Sequence, residues 1–148
     1  MNVEQTIRDY IAEVLHLSLA TSADNKPWVC ELHFAYDNNL NLYFRTKVDT
    51  RHGREIAANP FVAGNIVGQH GPTNKPRAVY FEGVAELLED ATEQAAYDER
   101  FGKRKGILLP ASQPNGHKYF RVVVSDYYLF DTRESSPPQK YHLPMIAT

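Results

Sequence analysis

Apolar residues recur at three- and four-residue intervals over 3–16, where Val3, Ile7, Tyr10, Ile11, Val14 and Leu15 are interleaved with Glu4, Arg8, Asp9 and Glu13. That period predicts one amphipathic helix. The pattern then shortens to alternation. A strand is predicted over 17–21, a turn at Asp24-Asn25-Lys26-Pro27, and a second strand over 28–36, which together read as a hairpin. On the second strand Trp28, Cys30, Leu32, Phe34 and Tyr36 share one face, and Val29, Glu31, His33 and Ala35 share the other. Both faces are therefore partly apolar, and neither is simply wet. Asp37-Asn38-Asn39 makes the next turn and 40–46 the third strand of a meander.

Residues 50–59 predict a short helix stopped by Pro60, and 61–67 a strand closed by Gly68. A polar loop rich in Pro and Gly follows over 69–76. The strand over 77–89 contains Gly83, which marks a bend or bulge of the kind barrels need. A helix over 92–101 with Thr92 as N-cap comes next. After it stand the basic trio Lys103, Arg104 and Lys105 between glycines and an apolar patch over 107–110. Residues 117–131 hold a final strand pair. The expected architecture is mainly β with flanking helices, a six- or seven-stranded antiparallel barrel in one domain over 1–131. Residues 132–148 read as a C-terminal tail from which Tyr141, His142 and Leu143 could dock.

Composition narrows the function classes. The net charge of −2 gives no basic field for nucleic acid, and no apolar run approaches the roughly 18 residues of a membrane span. The start of the chain carries Glu4 and lacks the basic and apolar regions of a secretory leader, so a cytoplasmic protein is expected. One cysteine, Cys30, allows no internal disulfide and reads as a small apolar filler. Redox function would have to come from a cofactor. The histidines 16, 33, 52, 70, 117 and 142 are scattered without an HExxH pair, so no metal site is expected. Neither a GxSxG elbow nor a glycine-rich nucleotide loop is present, since Gly64, Gly68 and Gly71 have the spacing of turns.

The chemically informative stretch is Arg45-Thr46-Lys47-Val48-Asp49-Thr50-Arg51-His52-Gly53-Arg54, which runs from a strand end into the first turn of a helix. Helix N-termini expose N–H groups and carry partial positive charge, so acids are favoured there. Here Arg51, His52 and Arg54 occupy the turn instead. A solvated basic turn neutralised by Asp49 and Glu55 is one reading. The other is a phosphate held by the Thr50 hydroxyl, exposed amides, Arg51 and His52. The Lys103 to Lys105 trio has the same two readings, a solvated surface or a secondary anion site.

The order of helix, three-strand meander, Thr46-x-x-x-Thr50-Arg51-His52, short helix, Asn59-Pro60, strand, and strand with Glu82-Gly83 resembles the pyridoxamine 5′-phosphate oxidase-like family of FMN-binding split barrels. The resemblance implies FMN as cofactor, with Thr46, Lys47, Thr50, Arg51 and His52 at its phosphate end; His52 stands where the family usually has lysine. It implies the flavin ring beside Cys30, Glu31 and Leu32 on one strand and Phe44 and Arg45 on the next. It further implies a homodimer with the cofactor at the subunit interface, acting as an oxidoreductase on a small molecule. The arginine near Val29, the glutamine at the position of Ala78 or Arg77 and the substrate-binding C-terminal segment of the oxidase are not recognisable here. The chain thus resembles small bacterial members of the family rather than the oxidase itself. No side chain stands out as a catalytic proton donor. The alternative on the same fold is a non-catalytic flavin, deazaflavin or haem binding or sensor module, with His33 or His142 as haem ligand.

Overall fold

The computed structural model describes residues 1–68, 75–105, 116–133 and 139–145. Helix α1 (Val3–Ala12) is capped by Asn2, whose side chain accepts from the Gln5 N–H at 3.0 Å, and it turns Ile7, Tyr10 and Ile11 into the core. It ends four residues before the apolar period does. Val14 and Leu15 instead lead into strand β1 (His16–Ala23), which pairs with β2 (Lys26–His33). The turn between them places Asp24 and Asn25 at φ 51° and 61°, the left-handed pair that matches strand twist in a two-residue hairpin. Lys26 and Pro27 therefore belong to β2 rather than to the turn.

At Phe34 the chain leaves that hairpin. Its N–H bonds the Leu15 carbonyl at 3.1 Å, and the next two residues form β3 (Ala35–Tyr36), which pairs with β4 (Leu42–Lys47). Leu40, expected in that strand, instead sits in the turn at φ 62°. Helix α2 (Arg51–Ala58), β5 (Phe61–Ile66), β6 (Arg77–Leu88), helix α3 (Ala91–Lys105), β7 (His117–Asp131) and β8 (Lys140–Pro144) complete the chain. All strands join one antiparallel sheet in the order β2-β1-β5-β6-β7-β4-β3, with β8 added to β7. Because β2 and β3 are opposite edges of the sheet yet are linked by a single residue, the sheet must curl until its edges nearly meet. That is a split barrel, mainly β with flanking helices, as the alternation pattern implied.

Register shifts between Glu82 and Gly83 where β6 meets β7, so the expected bulge is there. A Cβ at Gly83 would stand 2.3 Å from the Val123 carbonyl oxygen, closer than any side chain tolerates. Inside the curl, Leu17, Leu19, Phe34, Leu42, Phe44, Phe81 and Tyr127 form the main core with α1. On the outer surface α3 covers a smaller aromatic cluster of Tyr43, Tyr97, Phe101 and Tyr119.

Four local expectations are corrected. Residues 117–131 are one continuous strand, not a pair, because β7 must span β6 and β4 together. Helix α3 is capped by Asp90, whose carboxylate accepts from the Thr92 N–H at 2.7 Å, so Thr92 lies inside the helix. The basic trio lies in its last turn rather than in a loop: Lys103 pairs with Glu99 at 3.0 Å. Arg104 donates to the carbonyls of Phe34, Ile11 and Val14 at 2.6, 2.8 and 2.5 Å, a structural cap on α1 rather than an anion site. Finally, within the segment read as a tail, Lys140–Pro144 pairs with β7, and Tyr141 and Leu143 pack on the core. The loop over 69–74 and the apolar patch over 107–110 lie outside the described residues. Among the described residues no helix is long and apolar enough to cross a membrane.

Candidate functional site

Strand β4 delivers Phe44 and Thr46 to the inner face and Tyr43, Arg45 and Lys47 to the outer face, by simple alternation. Thr50 then caps α2 in an extended conformation (φ −113°, ψ 152°), its hydroxyl accepting from the Gly53 N–H at 3.3 Å and its carbonyl from the Arg54 N–H at 3.1 Å. The N–H groups of Arg51 and His52 have no acceptor among the described residues, as expected for the first turn of a helix.

His52 turns back over the strand. Its Nε2 lies 2.8 Å from Thr46 Oγ1 and 3.4 Å from Thr50 Oγ1, and its ring meets that of Phe44 edge-on at 6.3 Å. Thr46 and His52 are each 8% exposed. Burial pushes the His52 imidazole below its usual range, against the weaker opposing pull of Glu55, which favours the neutral ring. Arg51 is held otherwise: its Nε donates to Glu55 at 2.7 Å, and its guanidinium carbon lies 4.1 Å from the centre of the Trp28 ring. Glu55 is buried and also accepts from the Thr21 hydroxyl at 2.8 Å. The bond from Arg51, then that from Thr21, holds its carboxyl below the ordinary range. Arg54 pairs with Asp49 at 2.6 Å. Each cation of the turn thus has a protein partner, and both readings of the sequence survive in one arrangement: the charges are compensated, yet Thr46, Thr50 and His52 converge beside two free amides.

The remaining sequence candidates divide between two places. Cys30 and Leu32 pair across from Leu19 and Leu17 and lie against the core. Burial, with help from Glu31, pushes the Cys30 thiol up to about 11, so it is protonated and unsuited to nucleophilic work. Glu31 faces outward and hydrogen-bonds with the Ser18 hydroxyl. Arg45 and Lys47 also face outward, away from His52. Arg45 donates to Asp98 at 3.0 Å, and the Tyr119 hydroxyl donates to the other oxygen of that carboxylate at 2.8 Å.

Between β2 and β4 the barrel is open. Strand β2 ends the sheet, and β3 covers β4 only at Leu42 and Tyr43, so two strand edges face each other without a ladder between them among the described residues. On the outer side this slot widens into a cleft of about 550 Å³ lined by His16, Glu31, Leu32, His33, Arg45 and Phe101. His33 stacks on Phe101 with ring centres 5.2 Å apart, and it is the cross-strand partner of His16. Of the two histidines considered as haem ligands, His33 is at this cleft. His142 is on β8, bonded to Asp126 at 2.7 Å and stacked on Tyr128. Sequence reading missed Trp28, Thr21, Phe101 and Asp98 as partners. Trp28 and Thr21 face each other in the hairpin register, a signal available once the hairpin is accepted; nothing local points to Phe101 or Asp98.

Known proteins resemble the chain at several levels. A family model described as pyridoxamine 5′-phosphate oxidase matches residues 3–129. A UPF0306 protein of Photorhabdus laumondii is 30% identical over 115 residues, 75% of this chain and 80% of that protein. An FAD-binding protein from Mesorhizobium loti has the same fold, with a TM-score of 0.67 and 21% identity over 86% of this chain and 91% of that one. A haem-binding protein from Mycobacterium smegmatis superposes with a TM-score of 0.72 at 17% identity, over 93% of this chain and 55% of that one.

Proposed function

The chain belongs to the pyridoxamine 5′-phosphate oxidase family, and we propose that it is an FMN-binding flavoprotein that acts as a homodimeric oxidoreductase on a small molecule. The observation that carries this reading is the start of α2. Two amides with no acceptor among the described residues, the Thr50 and Thr46 hydroxyls and the His52 imidazole converge there, with Arg51 adjacent. A phosphate monoester matches that donor set, since helix N-termini favour anions and guanidinium binds phosphate oxygens in a fork. Gly53 is part of the fit: a Cβ there would press to 3.0 Å of Thr50 Oγ1, so glycine keeps the approach to the hydroxyl open. Beside this grip, the open edges of β2 and β4 offer backbone donors and acceptors to the rim of a flat heterocycle.

Bound flavin would supply the electron-transfer chemistry, which no side chain of the protein provides. The chain's own residues anchor and orient. Arg51 leaves Glu55 to meet the phosphate, Thr21 remains on the Glu55 carboxylate, and Thr46 keeps the His52 ring facing the amides. A second copy would cover the exposed apolar band in which Phe61, Val84 and Val123 are successive cross-strand partners. Phe61 is 69% exposed, and such a band is typical of interaction surfaces.

The test is uptake of FMN by the purified protein, read as flavin absorbance near roughly 450 nm that stays with the protein on gel filtration. A colourless protein that takes up no added FMN refutes the reading. If FMN binds, anaerobic reduction followed by candidate acceptors separates an oxidoreductase from a binding module, whose flavin no acceptor reoxidises. A haem-binding module is the second reading, favoured by His33 and His16 at the cleft wall. Titration with haemin, read by its Soret band and its dependence on His33, decides for or against it.

A further inference from the structure

We propose that the grip at the start of α2 takes the FMN unit as half of a dinucleotide, held through a phosphodiester, with the second ring of that ligand stacked on Trp28. The proposal rests on the cofactor reading and narrows it. Two independent observations carry it, the charge of the grip and an exposed tryptophan beside it. The donors at the start of α2 suit a phosphate, and the charges around them decide which kind. Arg51 donates to Glu55 at 2.7 Å and Arg54 pairs with Asp49 at 2.6 Å, so each cation of the turn meets a carboxylate. Burial favours the neutral ring of His52, and Lys47 is exposed on the outer face of β4. What the grip offers an anion is therefore mainly the partial positive charge of the helix start. A phosphate monoester carries about −1.5 to −2 at neutral pH because its second pKa lies near 6. A phosphodiester lacks that second ionisation, so it meets less repulsion from the buried Glu55 carboxylate, which hydrogen bonds from Arg51 and Thr21 keep ionised.

Trp28 supplies the second observation. It is 40% exposed, and the Arg51 guanidinium covers one face of its ring, 4.1 Å from the ring centre. Across the hairpin it stands opposite Thr21, which donates to Glu55, so the indole belongs to the group of side chains that holds Arg51. When Arg51 turns to a phosphate, the indole face it covered is bared next to the bound anion. The flavin ring does not account for that face. Cys30, Glu31 and Leu32 lie two to four positions further along β2, roughly 7–13 Å away at the rise of a strand. A nucleobase on the far side of a phosphodiester does account for it, since bases stack on exposed aromatic side chains whatever their sequence.

Calorimetric titration of the full chain with FAD and with FMN, at about pH 7.5 where the monoester is doubly ionised, tests this. FAD should bind at least about fivefold tighter than FMN. Trp28→Leu should weaken FAD by roughly five- to twentyfold, at least about threefold more than it weakens FMN, and Trp28→Phe should recover most of that loss. Glu55→Gln removes the charge that counts against the monoester, so it should strengthen FMN more than FAD and narrow the preference. FMN binding as tightly as FAD, or Trp28→Leu weakening both alike, would overturn the proposal and leave the cofactor reading standing. So would a Glu55→Gln variant whose preference for FAD is as wide as the parent's. A protein that takes up neither nucleotide would sink the cofactor reading and this proposal with it.

Discussion

Replacing Arg51 with alanine removes the permanent charge nearest the two free amides of α2. A guanidinium–phosphate contact is charge-assisted and contributes about 1.5–3 kcal/mol, which corresponds to roughly ten- to hundredfold in dissociation constant. In the unliganded protein, however, Arg51 is already bonded to Glu55 at 2.7 Å and lies over Trp28. Binding must exchange one partner for another, so the expected loss is at the lower end, roughly ten- to thirtyfold. Glu55→Gln separates the two contributions. The amide oxygen can still accept from the Thr21 hydroxyl, but the competing charge is gone, so affinity for FMN should rise rather than fall. The chain has a single tryptophan, Trp28, which makes the exchange visible without flavin: inorganic phosphate should change its emission as Arg51 leaves the ring, and should not do so in Arg51→Ala. FMN affinity is read from quenching of flavin fluorescence. An Arg51→Ala variant that binds FMN as tightly as the parent, or a Glu55→Gln variant that binds it more weakly, would refute the exchange mechanism.

Three further expectations follow from the same geometry. Burial keeps His52 neutral while a bound dianion favours its imidazolium, so FMN affinity should increase as pH falls from about 8 to 6. His52→Lys should flatten that dependence. In the unliganded protein the sign for stability is the opposite: the unfolded chain protonates this histidine first, so acidification below roughly 6.5 should lower the denaturation midpoint. Arg104→Met removes the donor from the carbonyls of Val14 and Phe34 and one of the two donors from that of Ile11 and should cost about 2 kcal/mol in urea unfolding, with Arg104→Lys recovering part of it. Phe61→Glu puts a charge at one end of the exposed apolar band and, for the homodimer proposed above, should shift sedimentation velocity from dimer to monomer; a dimer unchanged by it would move the interface elsewhere.

The strands were legible because their burial is periodic. Leu17, Leu19 and Thr21 are buried between the less buried Ser18, Ala20 and Ser22 on β1, and Leu42, Phe44 and Thr46 are buried on β4, where Tyr43 on the other face is buried too, in the aromatic cluster with Tyr97 and Phe101. The bulge at Gly83 could be anticipated because a glycine amid such alternation has few other uses. What failed were boundaries decided by distant partners. Nothing near Val14 says that the helix stops at Ala12; the Ile11 carbonyl at its end and the Val14 carbonyl just beyond it accept from Arg104, some ninety residues away. That same guanidinium made the basic trio look like a solvated loop, since sequence shows a charge but not the carbonyls that bury it.

The candidate site divides in the same way. Thr46, Thr50 and His52 are close in the chain, and a strand running into a helix start must bring them together, so local spacing sufficed. The compensation of Arg51 was half visible, since Glu55 stands at i+4, whereas Trp28 lies over it only because β2 is the free edge beside α2. The outer cleft was invisible for a stronger reason. His16, His33, Arg45 and Phe101 come from four separate elements, and they meet only after the single-residue link at Phe34 forces the sheet edges to face each other. A pattern of period two assigns His16, His33 and Arg45 to the outer faces of their strands, but it says nothing about which outer faces converge or that Phe101 of α3 meets them. That is set by closure, and closure here depends on Phe34, whose carbonyl Arg104 holds at 2.6 Å. The residue that best explains why the slot stands open is therefore one that touches neither the phosphate grip nor the cleft.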